Sequence, residues 1–419
     1  MARQMKDSGV EWIGEIPEGW NVVRIGSQYT ERKTKVSDTE YPPLSVTMKG
    51  ILPQLSTAAK TDAHDDRKLV CVGDFAINSR SDRRGSCGIS AYDGSVSLIN
   101  TILCPRDEMN PHYYDWLFHS TMFSDEFYKW GHGIVDDLWT TNWQDMKRIS
   151  IPEPPLSEQR RIAAFLDRRC AEIDAVIERT KATIEEYKKL KQAVITEAVT
   201  KGVRGERKMK DSGIEWIGEI PEGWNRDKVN RMFEIIGSGT TPKSDDESHY
   251  VGKINWIQSG DINGGILTTC KNTISEQTLA LYSALKVYHA PFIIIAMYGA
   301  SVGNSSIVEI SGCVNQACCV LGMCRCNLQY AFYAFKVAKE YLIQKAVGGG
   351  QPNISQDTLR SLWLPEPSAD EQEEIVAYLD EKCAALDTLI AKKTTLLTEL
   401  EAYKKSLIYE YVTGKKEVL

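Results

Sequence analysis

The amino-acid sequence predicts an α+β fold: two mixed α/β globular modules, related by a pseudo-twofold axis and separated by two long antiparallel coiled-coil helices. Three observations predict it. Residues 156–200 carry apolar positions alternately four and three apart, the spacing of a coiled-coil stripe, with no proline or glycine before Gly202. Pro365-Glu366-Pro367 repeats Pro152-Glu153-Pro154 213 residues later and opens a second such stretch. The segment MKDSGVEWIGEIPEGW at Met5–Trp20 returns at Met209–Trp224, 204 residues later, with Ile214 in place of Val10 as the sole change. Chance does not produce such repeats, so the chain is two copies of one plan.

The first long stretch sets the geometry. Its seam is Leu166, Cys170, Ile173, Ile177, Thr180, Ile184, Tyr187, Lys191, Val194 and Ala198, while Arg168, Glu178, Glu185 and Lys188 cover other faces. Pro154 and Pro155 stop the chain before it, and Ser157 with Glu158 suits a helix start. A helix of ~44 residues is ~66 Å long and needs a partner for its stripe. The second copy supplies one: Gln159 falls on Gln372, Ile162 on Ile375, Leu166 on Leu379, Asp167 on Asp380 and Cys170 on Cys383. The linker 201–208 spans at most ~28 Å when extended. It cannot bring the chain back along the helix, so the second module is expected at the far end, with the second helix running backward along the first.

The chain then divides as follows: a Trp-rich segment (residues 1–22), a first module (23–150), the first long helix (151–204), the repeated Trp-rich segment (205–226), a second module (227–363) and the second long helix (364–419). Inside the first module, Leu69–Ser79 reads as strand, turn and strand, Val96–Cys104 as a strand and Tyr113–Lys129 as a helix. The second module has matching landmarks near an offset of 218. Phe75 aligns with Phe292, Gly85 with Gly303, Ile89 with Ile307, Gly94 with Gly312 and Val96 with Val314, and Tyr330–Ala346 matches the helix. The loops between landmarks differ, which suggests one architecture reading two different things. Trp12, Trp20, Trp216 and Trp224 read either as a packing plug, since large aromatics bury most of their area, or as a docking surface for two copies of one partner.

Composition excludes several classes. With 42% hydrophobic residues and a net charge of −7, this is a globular chain with ample core and no uniformly basic surface. Its most apolar run, Ala290–Met297, is too short to span a bilayer. Eleven cysteines, mostly beside aliphatic residues, fit a reducing cytoplasm better than a disulfide framework. Tyr41-Pro42-Pro43-Leu44 lacks the acid or amide of an amino-methyltransferase motif, and Gly237-Ser238-Gly239 lacks a third glycine. No phosphate-binding GxxxxGK[ST] run and no CxxC pair occurs; Cys324-x-Cys326 suits one face of a buried strand. The residues thus predict a chain that is not an enzyme and holds no metal.

Two variable modules, duplicated EWIGEIPEGW segments and duplicated PEP…EQ…I…LD helices resemble the specificity subunit, HsdS, of type I restriction-modification systems, over essentially the whole chain. GTTPK at Gly239–Lys243, SGDI at Ser259–Ile262, Asn315-Gln316-Ala317 and GQPNIS at Gly350–Ser355 resemble signatures of its target-recognition domains. Glu158–Asp167 and Glu410–Lys415 resemble its helical ends, although the first helix reads Thr200-Lys201-Gly202 instead of Thr-Gly-Lys. The resemblance implies a non-catalytic subunit in the cytoplasm that binds double-stranded DNA at a bipartite site. It implies two methyltransferase (HsdM) subunits, restriction (HsdR) subunits in the full complex, and no membrane. S-adenosylmethionine, ATP and Mg belong on those partners, with no cofactor on this chain. The competing readings are a self-sufficient methyltransferase or nuclease and a non-catalytic two-module protein-binding scaffold.

Candidate DNA contacts follow from charge and loop position. In the first module these are Arg32, Lys33 and Lys35, then Arg80, Arg83 and Arg84, where Gly85 and Gly88 allow close approach. In the second they are Thr240, Thr241, Lys243, Ser259, Asp261, Tyr298 and Ser301. Asn315 and Gln316 either read adenine or cap a buried turn.

Overall fold

The computed structural model describes residues 3–54, 65–80, 83–106, 108–133, 139–243, 246–346 and 352–418. The chain divides into two compact units, Met1–Ala182 with Thr394–Leu419, and Thr183–Lys393. Two unbroken helices, Leu156–Lys201 of 46 residues and Ala369–Val412 of 44, each give their first part to one unit and their last part to the other. Within the first unit the two segments run antiparallel. Phe165 stacks on Tyr411 at 4.4 Å, and Lys404 Nζ pairs with Asp174 at 2.7 Å. Within the second unit Lys191 pairs with Asp387 at 2.6 Å, and Arg204 farther along pairs with Glu374. The predicted seam is the buried one: Leu166, Cys170, Ile173, Ile177, Thr180, Ile184 and Ala198 are buried, and Tyr187, Lys191 and Val194 half-buried.

The first unit is built on a four-stranded antiparallel sheet ordered Cys87–Ile89, Phe75–Asn78, Asn100–Pro105, Tyr29–Glu31. A three-stranded sheet (Gly94–Val96, Arg67–Val70, Lys35–Val36) lies in the same unit. The hairpin Met5–Asp7 with Glu15–Pro17 holds the Trp-rich segment. One hydrophobic core runs from Trp12, Ile13 and Trp20 through Phe75, Tyr113 and Phe118 to Leu166 and Ile173 of the long helix. The second unit repeats the plan. Its main sheet is ordered Phe233–Gly237, Cys318–Cys324, Phe292–Ala296, Ser305–Val308, Ile266–Leu267. Four of these five strands match the first unit's four; Ile266–Leu267 adds an edge.

The predicted landmarks occupy equivalent places. Phe75 and Phe292 open matching strands, Gly94 and Gly312 open another pair, and Val96 and Val314 close it. Gly85 (φ 72°) and Gly303 (φ 76°) both take the left-handed conformation that favours glycine. Two predicted elements are divided. Val96–Cys104 is not one strand: the chain turns at 97–99, where Asn100 donates to the Ser97 carbonyl from its backbone and its side chain, at 3.1 and 3.0 Å. The Tyr113–Lys129 helix is two, Pro111–Phe118 and Thr121–Lys129, because Ser120 stops the first and caps the second through Phe123 N. In the second unit Val337 stands in the place of Ser120, offers no cap, and Leu328–Lys345 continues unbroken.

Candidate nucleic-acid interface

The repeated helix motif fastens each module in place. Trp20 is fully buried, and its Nε1 donates to Glu158 Oε2 at 2.9 Å; Arg3 Nη2 donates to the same oxygen at 2.8 Å and lies 5.3 Å over the indole. The second unit repeats this with Trp224, Glu371 (2.8 Å) and Arg207 (5.3 Å over the ring). Gln159 Oε1 accepts from Asn110 N at 2.9 Å and Gln372 Oε1 from Asn327 N at 2.8 Å, and both asparagines cap the module's helix. Asp167 accepts from Trp116 Nε1 and Asp380 from Tyr333 Oη, at 2.8 and 2.7 Å. Burial alone raises the Glu158 carboxyl, but the hydrogen bonds from Arg3 and Trp20 and the Arg3 charge outweigh it, so its pKa lies below the ordinary value. Each unit is closed by the end of the other helix: Gly414 (φ 75°) packs under Trp20 and Pro17, and Gly202 (φ 77°) under Trp224. These glycines are equivalent. The first helix runs through Lys201 before its glycine, which accounts for Thr200-Lys201-Gly202.

Of the four tryptophans, Trp12, Trp20 and Trp224 are buried and Trp216 is half-buried beside Tyr341 at 6.4 Å. The first segment exposes Glu11, Glu15 and Glu18 rather than its indoles.

The loops that differ between copies hang from the same backbone frame. In the first unit Ser79 N donates to Ile99 O (3.2 Å) while Thr141 N donates to Ser79 O (2.9 Å). In the second, Met297 N donates to Ala317 O (2.7 Å) and Ile354 N to Met297 O (2.9 Å). The next residues form matching isolated bridges, Arg80 with Thr140 and Tyr298 with Asn353. Arg80 and Tyr298 are thus one structural position, and each is exposed. The pairing of Thr140 with Asn353 was not singled out from sequence; the 213-residue helix offset, extended upstream of the prolines, signals it.

The remaining candidates separate into internal and outward-facing groups. Arg32 clamps Asp74 through two bonds of 2.7 and 3.0 Å beneath the sheet edge, and these bonds raise its pKa, so its guanidinium is engaged inside the module. Lys33 and Lys35 are exposed, paired with Glu31 at 3.3 Å and Asp66 at 2.5 Å. Arg84 lies 3.8 Å over the Tyr128 ring and pairs with Asp125 at 3.2 Å. Arg80 and Arg84 rim a cleft lined by Phe118, Phe123, Phe127 and Trp139, and Arg83 N donates to Arg80 O.

In the second unit Thr241 Oγ1 donates to Gln316 Oε1, and Gly239 lies so close to Val314 O that a Cβ would fall 1.8 Å from it. Asn315 N donates to Ile257 O at 3.1 Å. These contacts gather Gly239–Thr241, Asn315–Gln316 and the Gln258–Asp261 turn. Asp261 serves that turn, accepting from Gln258 N at 2.8 Å. Asn315 is half-buried and Gln316 exposed. Ser301 Oγ donates to Tyr298 O at 3.4 Å. Thr240 is half-buried; Ser259, also half-buried, opens the turn that Asp261 closes. Lys243 N donates to Tyr282 Oη at 3.1 Å, away from the others. Gly350 and Gln351 of the GQPNIS run lie outside the described residues.

Among the described residues no three His, Cys, Asp or Glu side chains gather to hold a metal ion, and no helix is long and apolar enough to cross a membrane. Burial pushes the Cys313 thiol up to about 11 and Cys318 higher still, keeping both neutral.

The fold defines a class: a duplicated protein in which two mixed α/β modules share two long helices and differ in exposed loops. A family described as "Type I restriction modification DNA specificity domain" matches residues 221–402. The type I restriction enzyme MjaVIII specificity subunit of Methanocaldococcus jannaschii is 25% identical over 423 residues, covering 96% of this chain and 94% of that one. Two solved chains share the fold. A chain from a structure of type I restriction-modification complex assembly and conformational transition has a TM-score of 0.75 at 17% identity, over 96% of this chain and 99% of that one. The HsdS subunit of Thermoanaerobacter tengcongensis has a TM-score of 0.52 at 18% identity, over 96% and 98%. Over residues 221–402 the chain is similar to the type I restriction-modification specificity domain, and along nearly its whole length it is similar to a type I specificity subunit.

Proposed function

We propose that each unit reads one half of a bipartite DNA site, and that the two long helices set the spacer while docking two methyltransferase subunits. The observation that carries this reading is the shared backbone frame at Ser79 and Met297, from which the two units present different exposed side chains. A fixed frame with changed side chains suits two different sequences on one regular polymer. The helices suit a ruler because each is continuous, ~69 and ~66 Å long at 1.5 Å per residue.

In this proposal the chain performs no catalysis. S-adenosylmethionine is held by the methyltransferase subunits, ATP and Mg by restriction subunits, and the complex works in the cytoplasm. Long-read methylome sequencing of cells carrying this chain with its methyltransferase tests the reading. A methylated motif of two half-sequences and a fixed gap, absent without this chain, is expected. Methyl transfer by the purified chain alone overturns the non-catalytic assignment. Absence of a salt-dependent DNA shift overturns the DNA reading in favour of a protein scaffold.

A further inference from the structure

The shared frame localises the reading more narrowly. The hydrogen bonds at Ser79 and Met297 join three loops in each unit and leave one residue of each loop beside the junction. After Ser79 comes Arg80; before Ile99, whose carbonyl takes the Ser79 N–H, comes Leu98; before Thr141 comes Thr140. After Met297 comes Tyr298; before Ala317 comes Gln316; before Ile354 comes Asn353. Arg80, Gln316 and Asn353 are exposed, Leu98 and Tyr298 are 38% and 39% exposed, and Thr140 is half-buried.

We propose that these two triplets, Arg80–Leu98–Thr140 and Tyr298–Gln316–Asn353, are the residues by which the two units prefer different bases. The inference rests on the DNA-reading function above. Its first support is that matching backbone hydrogen bonds and bridges flank the three positions in both units, while arginine becomes tyrosine, leucine becomes glutamine and threonine becomes asparagine. Its second is that Leu98 and Ile99, each 38% exposed, place two adjacent apolar side chains partly in solvent beside the junction. A leucine there fits the methyl group of thymine, and the Arg80 guanidinium fits the paired acceptors of guanine. In the second unit two amides, Gln316 and Asn353, match the donor–acceptor edge of adenine. The Thr241 hydroxyl bonded to Gln316 Oε1 fixes how that amide is presented. Asn315, Ser259 and Asp261 are then frame rather than readers.

The test uses the complex with its methyltransferase subunits, after the methylated motif of the unaltered chain is known. Competition binding compares intact DNA with DNA scrambled in the first or the second half. Y298F/Q316A/N353A should lower the preference for an intact second half about ten-fold or more and leave the first-half preference unchanged. R80A/L98A/T140A should do the converse. The untouched preference shows that the other unit is intact. Hydrogen exchange over the substituted unit, expected to match the unaltered chain, shows that its loss of preference is not misfolding; lost protection there together with lost preference overturns the assignment. Equal weakening on every DNA, loss of both preferences together, or two unchanged preferences overturns the assignment of these residues. Absence of any preference in the unaltered complex instead overturns the DNA-reading function itself.

Discussion

Replacing Glu158 with glutamine isolates the contact that joins the Trp-rich segment to the long helix. Glu158 accepts from Trp20 Nε1 and Arg3 Nη2 at 2.9 and 2.8 Å, with side-chain exposures of 10% for Glu158 and 24% for Arg3. Glutamine keeps one oxygen for the indole but removes the charge facing Arg3. Hydrogen bonds to charged groups contribute ~1.5–3 kcal/mol, so E158Q should destabilise the first unit by about that amount. At ~2–4 °C per kcal/mol for a domain of this size, its thermal midpoint should fall by ~3–12 °C. The sign with pH follows from the lowered folded pKa. The Glu158 contribution is present above the unfolded carboxylate value of ~4.3 and is lost as pH falls through the lower folded value. The difference between wild type and E158Q should therefore be full at pH 7 and shrink below about pH 4. Calorimetry across pH, with hydrogen exchange over residues 3–20 to assign the unit, measures both. A loss under ~0.5 kcal/mol at pH 7, or a difference that grows on acidification, refutes the assignment of Glu158 as the fastening carboxylate.

Three further outcomes are expected. Gly414→Ala places a Cβ 2.5 Å from Pro17 and 2.8 Å from Trp20 at φ 75°, so it should cost the first unit ~1–3 kcal/mol in chemical denaturation; a neutral change contradicts the packing. Replacing Arg80, Arg83 and Arg84 with alanine should weaken only the first half-site, by ~1–3 kcal/mol for each arginine that pairs with a base edge, and equal weakening on DNA scrambled in either half marks them as phosphate contacts. Removing one heptad from each helix, within Thr180–Tyr187 and Lys393–Leu400, keeps the seam in phase and shortens each by ~10 Å. With DNA rising ~3.4 Å per base pair and about ten pairs per turn, methylation should weaken sharply. Surviving sites should keep both half-sequences with a shorter gap, and unchanged spacing at full activity removes the helices as the ruler.

The long helices, their seam and the duplication were legible because each rests on local, repeating chemistry: Pro154 and Pro155 before the start, an apolar stripe, a glycine at the end. The landmark alignment was legible for the same reason, since Gly85 and Gly303 need the same left-handed turn. The helix break at Ser120 was not, because one hydroxyl cap at Phe123 N decides it within an otherwise helical pattern. Site residues were harder. Arg32, Lys33 and Lys35 form one dense basic cluster in sequence, yet strand pairing directs Arg32 onto Asp74 and leaves the lysines outside. Charge density along a chain does not report which side chain finds an internal partner. Thr140 and Asn353 are uncharged and lie far in sequence from Arg80 and Tyr298; the helix offset matches them to each other, but only the isolated bridges place them beside Arg80 and Tyr298.

The structure also accounts for why near-identical ends enclose different middles. Glu158, Gln159 and Asp167, with Glu371, Gln372 and Asp380, bind Trp20, Asn110, Trp116 and their counterparts, and none of these residues belongs to the loops around Arg80, Leu98 or Thr140. Changing Glu158 or Glu371 removes a buried, charge-assisted bond, and changing Gln159 or Gln372 removes a bond that holds a helix cap in place. Changing an exposed loop residue away from such features usually moves stability by no more than ~0.5 kcal/mol. The residues that fasten each unit are thus separate from the loop residues proposed to read DNA. The loops can change chemical class, as arginine to tyrosine and leucine to glutamine do between the two units, while the frame at Ser79 and Met297 holds each new side chain at the same place. A protein that had to read through its own core could not vary in this way without losing stability.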